Sequence, residues 1–470
     1  MRPLVTSQLF VLLLAVSAAM AANTGPQAGA RHVERSPATA GCTVLVGGRA
    51  SVGAAEGNLR RFVRIQGAVD AAKPGDIVCV TATDDDQERI LVRKSGRAGA
   101  PIRILALKSV QTGGFVVDAD HVEIAGFRVS NQRSGVDDQG RWMGIYLSGS
   151  YLRIEDNTVS GTEGDGIGCD AYPASCTDIV VAHNTVLHAD GAGILVAGER
   201  ILVEDNEVAA SVKKYSSDAD GIRFFGSQIT IRGNYVHNIS DRGYPEGDNP
   251  HTDCFQTFDN AKPSTRDVVI EGNVCANVDH QCLIASASER HSSGSLVFRN
   301  NICGNNGSQG VYLLDFPNAK ILNNLFLPSI AFFGVAMRSG SANTLIANNI
   351  FLGSIGPYSA DETSKSGLEA DHNLIYNPAK KTLPEWYGWS EPNGSWGEDP
   401  MISNLQLWPP SASLRPLQLS PLVDAGSAAS GDDTARDIAG NPRVVDGNGD
   451  GKAVIDIGPF EFNPQAEATQ

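Results

Sequence analysis

The sequence predicts an all-β solenoid, a stack of short coils wound from one chain rather than several separate domains. Three observations carry this. A ten-residue pattern of three alternating apolar positions, then Asn, then apolar again recurs through the middle of the chain. Examples are LRIEDNTVSG (152–161), ILVEDNEVAA (201–210), ITIRGNYVHN (229–238) and TLIANNIFLG (344–353). A second short strand follows each copy, as in GIGCDA, GILVAG, GIRFFG, CFQTFD, CLIASA, GVYLLD and GVAMRS. Finally, the 470 residues include 50 Gly and only 19% charged residues, poor material for a helical bundle and good material for turn-rich β structure. A repeat of 22 residues or more with short strands and variable loops is the signature of a solenoid.

Taken in order, residues 1–21 read as a secretory signal: Arg2 supplies a positive start, Leu9 to Ala19 an apolar stretch, and Ala19-Met20-Ala21 a small-residue cleavage site. The other reading is a membrane anchor, for which the run is short of the roughly 20 residues a spanning helix needs. Residues 22–61 form a leader and N-terminal extension. FVRIQGAVDAAKPGDIVCV (62–80) reads strand, short helix, Pro-Gly turn, strand. The repeat then runs to residue 378, with ladder positions at Asn157, Asn184, Asn206, Asn234, Asn273, Asn301, Asn324, Asn349 and Asn373, and with Phe127 standing in an earlier copy. Residues 379–470 lose the repeat and hold four of the five tryptophans: Trp386, Trp389, Trp396 and Trp408. They are expected to form a hydrophobic cap, or else a surface for sugar stacking. The net charge of −16 argues against nucleic acid as a partner, because phosphate contacts need a basic footprint. The mature protein is expected to be secreted or periplasmic, free of the membrane, and monomeric.

These Asn-centred copies resemble the right-handed single-stranded parallel β-helix of pectate-lyase-like proteins, with three strands per coil. The segment 62–80 resembles the start of many β-helix lyases and hydrolases, with IQGAVDAAK as an N-terminal capping helix. Coils then stack at about 4.8 Å, and equivalent side chains form axial columns. Each ladder Asn donates to one neighbour and accepts from the next. Ile145, Ile167, Ile194, Ile222, Phe255, Leu283, Val311 and Val335 form one inward column; Val159, Val186, Val208, Val236, Cys275, Cys303, Phe326, Phe351 and Ile375 form another. The eight cysteines fit an oxidising compartment. Stacking favours Cys254 with Cys282 and Cys275 with Cys303. Cys169 and Cys176 would close a small loop, and Cys42 and Cys79 remain to pair at the N-terminal end. Buried free thiols are the alternative, since connectivity is not fixed by spacing.

Function in such a fold comes from loops and outward side chains. The longest coils are consecutive and carry AASVKKYSSDAD (209–220), ISDRGYPEGDNPHTD (239–253) and SASERHSSG (286–294). The resemblance implies a cleft over this stretch of the first strands. A uronate polymer suits the residues found there. A lyase must neutralise a carboxylate, remove the adjacent C5 proton and help O4 depart. Arg223, Lys214 or Arg338 is expected to neutralise; His251 is the expected base, oriented by Asp253 or Asp248; Tyr244 or Tyr312 is the expected acid. Asp220 and Gln256 complete the substrate-binding set. The DNPHTD stretch resembles the Asp-Pro-His element of mannuronan C5-epimerases, except that Asn249 separates Asp248 from Pro250. A glycoside hydrolase would instead use a carboxylate pair such as Asp220 and Asp253. A non-catalytic adhesion or carbohydrate-binding rod is the reading from a different class. Each residue also has a plain structural role: Asp220 as a turn residue, Arg223 as a solvated charge, His251 as a loop residue. Separately, Asp446, Asn448 and Asp450 occupy positions 1, 3 and 5 of a DxNxDG loop, with Asp456 replacing the absent Glu, and point to Ca2+ as a cofactor.

Overall fold

The structure, a computed structural model, describes residues 41–464 apart from 48–58, 83–86, 131–141, 170–175, 260–262, 305–306, 331, 354–355, 378–390, 392, 403–413 and 429–435. The expected signal and leader up to residue 40, with Trp386, Trp389 and Trp408, lie outside the described residues.

The coils are a right-handed parallel β-helix of three strands each. In one coil the first strand is Phe255–Phe258, the second Arg266–Glu271 and the third Val274–Val278. Each pairs in parallel with its counterpart one coil on, Leu283–Ser286, Leu296–Arg299 and Ile302–Gly304. In two coils the first and second strands run together as single 13-residue strands, Ala192–Glu204 and Asp220–Arg232. The registers reproduce both inward columns. Ile194 pairs with Ile222 and Ile222 with Phe255; Val236 pairs with Cys275 and Cys275 with Cys303. All are buried, and their β-branched and aromatic character favours the pleated, two-sided strands they occupy. The helix Ile65–Asp70 is shorter than IQGAVDAAK; it buries Ile65, Ala68 and Val69.

The Asn ladder is continuous. The Asn234 side-chain oxygen accepts the Asn206 backbone N–H and its amide Nδ2, both at 3.0 Å. Asn234 in turn donates its backbone N–H at 2.8 Å and Nδ2 at 3.0 Å to Asn273. At the first end, Asn157 accepts the Phe127 N–H, so the apolar copy closes the ladder without an amide of its own. At the far end Asn373 donates its N–H and Nδ2 to Glu391, at 2.6 and 3.0 Å. The residue before each ladder Asn turns the chain with φ near +55°: Asp156, His183, Asp205, Asn300, Asn323, Asn348 and His372 among them. Asn, Asp and His tolerate this left-handed conformation better than other side chains.

All eight cysteines are paired. Cys42–Cys79 and Cys169–Cys176 are as expected. The other two correct the axial pairing: Cys254 bonds Cys275, and Cys282 bonds Cys303. Cys275 and Cys303 are axial neighbours, but each inward sulfur crosses its own coil from the third strand to the start of the first. The Cα separations of 5.9 and 5.7 Å suit this bridge.

The C-terminal segment does two things. Ser395–Trp396 pairs with the strand Leu374–Tyr376 and extends the stack. Later residues run back along the flank, where Leu414, Leu422, Ile457 and Phe460 pack on Val274, Ile302, Leu325, Ile350 and Leu374 of five third strands. Asn300, Asn323 and Asn348, the turn residues before three ladder positions, donate to the carbonyls of Arg436, Asp456 and Ser427.

The ladder yields a stability prediction. Asn234→Ala leaves the Asn206 backbone N–H without its acceptor in a buried turn and strips its Nδ2 of one of two, and should cost about 3 kcal/mol. Lys320→Ala, on an exposed strand position, should cost less than about 0.5 kcal/mol. Denaturant unfolding of the two variants measures both.

Candidate functional site

Two residues before the inward first-strand position, five coils carry a polar side chain, Asp165, Asp220, Asp253, Gln281 and Gln309, with Ala192 between the first two, in register with the paired first strands. Their side chains bond up the stack. The Asp220 Oδ1 accepts the Asp253 N–H at 2.9 Å, and the Asp253 Oδ1 accepts the Gln281 N–H at 2.9 Å. Asp165 accepts the Ala192 N–H at 2.6 Å, and Gln281 donates to Gln309 at 3.3 Å. Asp220 and Asp253 side chains are 0% exposed.

Buried carboxylates need partners, and this pair has two cations. Arg223 stands in register with Gln256, Ile284 and Tyr312 in an outward column of the first strands, and places Nε 2.7 Å and Nη2 2.5 Å from Asp220, and Nη2 3.1 Å from Asp218. Its Nε also donates to the Gln256 side-chain oxygen at 2.9 Å. His251 sets Nδ1 2.6 Å from Asp253, and the Gln256 amide nitrogen lies 3.3 Å from both that Nδ1 and Asp253. The imidazole is therefore oriented by a carboxylate, with Nε2 directed away from it. His251 is 36% exposed and Arg223 12%. These two, with Asp218, are the parts of the cluster that a ligand reaches.

The charges shift one another. The hydrogen bond to Asp253 raises the His251 pKa to about 9, against the cost of burial, and the charges of Asp253, Asp220 and Asp218 add to the rise. Burial pushes Asp220 up, Arg223 opposes this, and Asp253 and Asp218 reinforce it, for a value of about 7. Arg223 is raised despite its burial by Asp220, Asp165 and Asp218. At neutral pH His251 is thus an imidazolium, and it becomes the expected base only as pH approaches 9.

Two of the three long loops are built around the cluster. Asp190, buried, accepts the backbone N–H groups of Lys214, Tyr215 and Ser216 and so folds the segment 212–218. The next loop is tied to it by Lys213, whose Nζ is 2.5 Å from Asp248 and whose N–H donates to the Tyr244 hydroxyl at 2.9 Å. The third loop is anchored elsewhere: Asp259 accepts the Glu289 and Arg290 amides, and His291 pairs with Asp315.

Several expected residues stand outside the cluster. Lys214 pairs with Glu163 at 2.6 Å, and Asp248 with Lys213 rather than His251. Tyr244 meets the loop backbone. Tyr312 shares the outward column but lies three coils from Arg223, about 14 Å by strand spacing. Arg338, a coil further on, lies against the Met337 and Ser359 carbonyls at 2.8 and 3.0 Å. Residues missed from sequence are Asp165, Asp218 as a direct partner of Arg223, Gln281, and a second histidine. The His280 ring stands edge-to-face with His251, centroids 4.8 Å apart, and its Nε2 is 3.3 Å from Asp241. The signal was available: aligning the first strands sets Asp165, Asp220, Asp253, Gln281 and Gln309 in one column.

In the C-terminal loop, Asp446 and Asp450 accept backbone N–H groups of their own turn, from Gly449 and Lys452, and Asn448 accepts that of Asp450. Asp456 is not with them. It sits across the antiparallel pair Val444–Val445 and Val454–Ile455, buried, accepting the Asp424 and Phe462 amides. The expected fourth ligand is thus committed to the core.

A family model described as "Right handed beta helix region" matches residues 106–214 and 174–351, together more than half of the chain. The chain belongs to the right-handed β-helix family. No curated protein matches it. Among solved structures, it is similar to pectate lyase Pel9A, at 16% identity over 90% of this chain and 97% of that one, with a TM-score of 0.52. It is also similar to XylC in complex with xylose, at 9% identity over 89% of this chain and 98% of that one, with a TM-score of 0.57. The A-module of mannuronan C-5 epimerase AlgE6 from Azotobacter vinelandii matches at 14% identity over 70% of this chain and 92% of that one, with a TM-score of 0.43. At these identities the likeness is one of fold.

The dyad gives a pH prediction. A histidine whose folded pKa lies above its ordinary 6.5 stabilises the fold fully below 6.5, and that contribution is lost as pH rises through about 9. Asp253→Asn should bring the His251 titration, followed by NMR of its ring protons, down from about 9 towards 6.5. It should also flatten the fall in thermal stability between those pH values.

Proposed function

We propose that the protein is a secreted polysaccharide-active enzyme that cleaves a uronate-containing polymer by β-elimination on the first-strand face around Arg223 and His251. The observation that carries this is the placement of charge. The two carboxylates are fully buried, while the groups open to a ligand include the cations Arg223 and His251. A glycoside hydrolase needs carboxyl groups that touch the glycosidic oxygen and a water; Asp220 and Asp253 have no surface to do so. An acidic polymer needs cations at its carboxylate, and on a chain of net charge −16 a local cationic pair is a selective feature. Four disulfides fit an oxidising compartment, and the fold of a pectate lyase is in keeping with the reading.

The chemistry follows from the contacts. The Arg223 Nε donates to Asp220 and Gln256, and its Nη2 lies against Asp220 and Asp218. The guanidinium, 12% exposed, is the cation for the substrate carboxylate, and neutralising that carboxylate acidifies the C5 proton. Neutral His251 takes that proton on Nε2, held in the right tautomer by Asp253. The electrons of the C5–H bond form the C4–C5 double bond, the C4–O4 bond breaks, and the proton on His251 passes to the departing O4. One imidazole then serves as base and acid in turn, and Tyr244, engaged with the Lys213 amide, is not required. Epimerisation, a second reading, shares the removal of the C5 proton by His251 and needs another acid, across the sugar from His251, to protonate C5 from its opposite face.

The test is incubation of the purified protein with uronate polymers such as polygalacturonate and alginate, read by ultraviolet absorbance of the unsaturated product. The rate should climb with pH towards about 9, as His251 loses its proton. His251→Ala should lower turnover by about 10²- to 10⁴-fold, and Arg223→Ala should also remove most of the activity. New reducing ends without that absorbance would refute elimination, and binding without any turnover would favour the non-catalytic rod.

A further inference from the structure

Asp220, His251 and Asp253 each offer one ligand atom, and these atoms lie within 4.8 Å of one another. Carboxylate oxygens at that spacing suit a hard divalent cation. The chain, however, already supplies a cation there. Arg223 sets two nitrogens on the Asp220 Oδ2, at 2.7 and 2.5 Å, and reaches the Asp218 carboxylate at 3.1 Å. The Asp253 Oδ2 is bound by His251 at 2.6 Å, and each Oδ1 of the pair accepts a backbone N–H. The residues therefore do not fit a bound metal while Arg223 is in place.

We propose that the Arg223 guanidinium is a built-in counter-cation standing where a divalent ion would otherwise bind, so that the native cluster is metal-free and metal-independent. The occupied oxygens decide this. The Asp220 Oδ2 faces Arg223 and its Oδ1 the Asp253 N–H, while the Asp253 Oδ2 faces His251 and its Oδ1 the Gln281 N–H. A divalent ion added to that set meets a fixed guanidinium at close range and must displace these contacts. Without Arg223 the same cavity holds three carboxylates and one imidazole; Asp253 keeps His251, and the fully buried Asp220 is left without a cation. The guanidinium also sets geometry. Its Nε donates to both Asp220 and Gln256, and Gln256 in turn contacts both Asp253 and His251. Removing it would release the geometry of the dyad as well as the charge. The inference concerns what the cluster holds and does not rest on elimination being the reaction.

The experiment is titration with Mn2+ followed by electron paramagnetic resonance, with thermal unfolding in Ca2+ as a second readout. It compares the native protein, Asp220→Asn, Arg223→Ala, and Arg223→Ala combined with Asp220→Asn. Native protein and Asp220→Asn should bind Mn2+ alike, because the cluster takes none. Arg223→Ala should gain a site at least roughly tenfold tighter than anything native, since ligand charge sets the affinity of oxygen sites. It should also be stabilised by Ca2+, and the double variant should lose both effects. Ions held elsewhere, for instance by the turn Asp446–Asp450, bind equally in all four proteins and cancel. The inference is overturned if native protein binds Mn2+ in a way that Asp220→Asn abolishes. It is equally overturned if folded Arg223→Ala gains no site. If Arg223→Ala does not fold in metal-free buffer, the native comparison with Asp220→Asn still decides. Chelator treatment of active enzyme separates this from the functional proposal: elimination activity lost to the chelator, with native protein and Asp220→Asn still binding Mn2+ alike, would count against the reaction scheme alone.

Discussion

The interaction on which the molecule depends is the hydrogen bond that each ladder Asn makes to the next coil. Every coil must turn sharply between its second and third strands, and the turn buries backbone groups that no strand pairing satisfies. One side-chain oxygen accepts both the backbone N–H and the Nδ2 of the Asn below, at about 3 Å from Asn157 to Asn373. A shift of one residue between coils would break these contacts and turn every inward side chain outward. The ladder therefore fixes register along the stack. Register in turn brings Asp220 beside Asp253, which are 33 residues apart in sequence.

The cluster uses the same device for another purpose. A carboxylate stacked on the next coil's N–H is satisfied on one oxygen, as an Asn would be, but its second oxygen carries charge into a site without solvent. Asn or Gln at Asp220 would keep the stacking bond and forfeit the hold on Arg223. Gln281 shows the neutral version one coil beyond, where it accepts no cation and hands its amide to Ser308 and Gln309. The change from Asp to Gln along the column marks where the chain stops building a charged site and resumes building a wall. The disulfides reinforce this position: Cys254 follows Asp253 and Cys282 follows Gln281, so each of these column residues is next to a bridge that crosses its coil.

What was legible in the sequence is what repeats. Ladder positions, inward columns and the outward sequence Arg223, Gln256, Tyr312 follow from counting, and their registers in the structure agree. His251, Asp253, Arg223, Asp220 and Gln256 were identified because they fall near one stretch of first strand. What was not legible depends on side-chain direction within a coil. Spacing makes Cys275 and Cys303 neighbours, but it does not say that Cys275 points across the coil to Cys254. Nor does it distinguish Lys213 from Lys214: consecutive residues on an irregular loop face apart, and only the fold of that loop around Asp190 sends one to Asp248 and the other to Glu163. The raised pKa of His251 was hidden for the same reason, since it is set by a 2.6 Å contact with a fully buried carboxylate.

The C-terminal segment carries the same logic to the outside of the solenoid. In early coils the position after the ladder Asn is polar or small: Thr158, Thr185 and Glu207. From Asn273 onward it becomes Val274, Ile302, Leu325, Ile350 and Leu374, all buried under Leu414, Leu422, Ile457 and Phe460. At the matching coils the turn residue becomes Asn300, Asn323 and Asn348, each bonding a tail carbonyl. A strand face that changes from polar to apolar at one coil, together with paired Asn-Asn turns, thus specifies where a partner segment lies. The pairing is mutual, because the same tail supplies Glu391 to close the ladder above Asn373. The tail consequently braces the coils beyond the cluster on the third-strand flank. The first-strand face, where Arg223 and His251 reach solvent, is built from a different strand of each coil, so the flank that the tail braces and the face that holds the cluster are set by separate strands of the same coils.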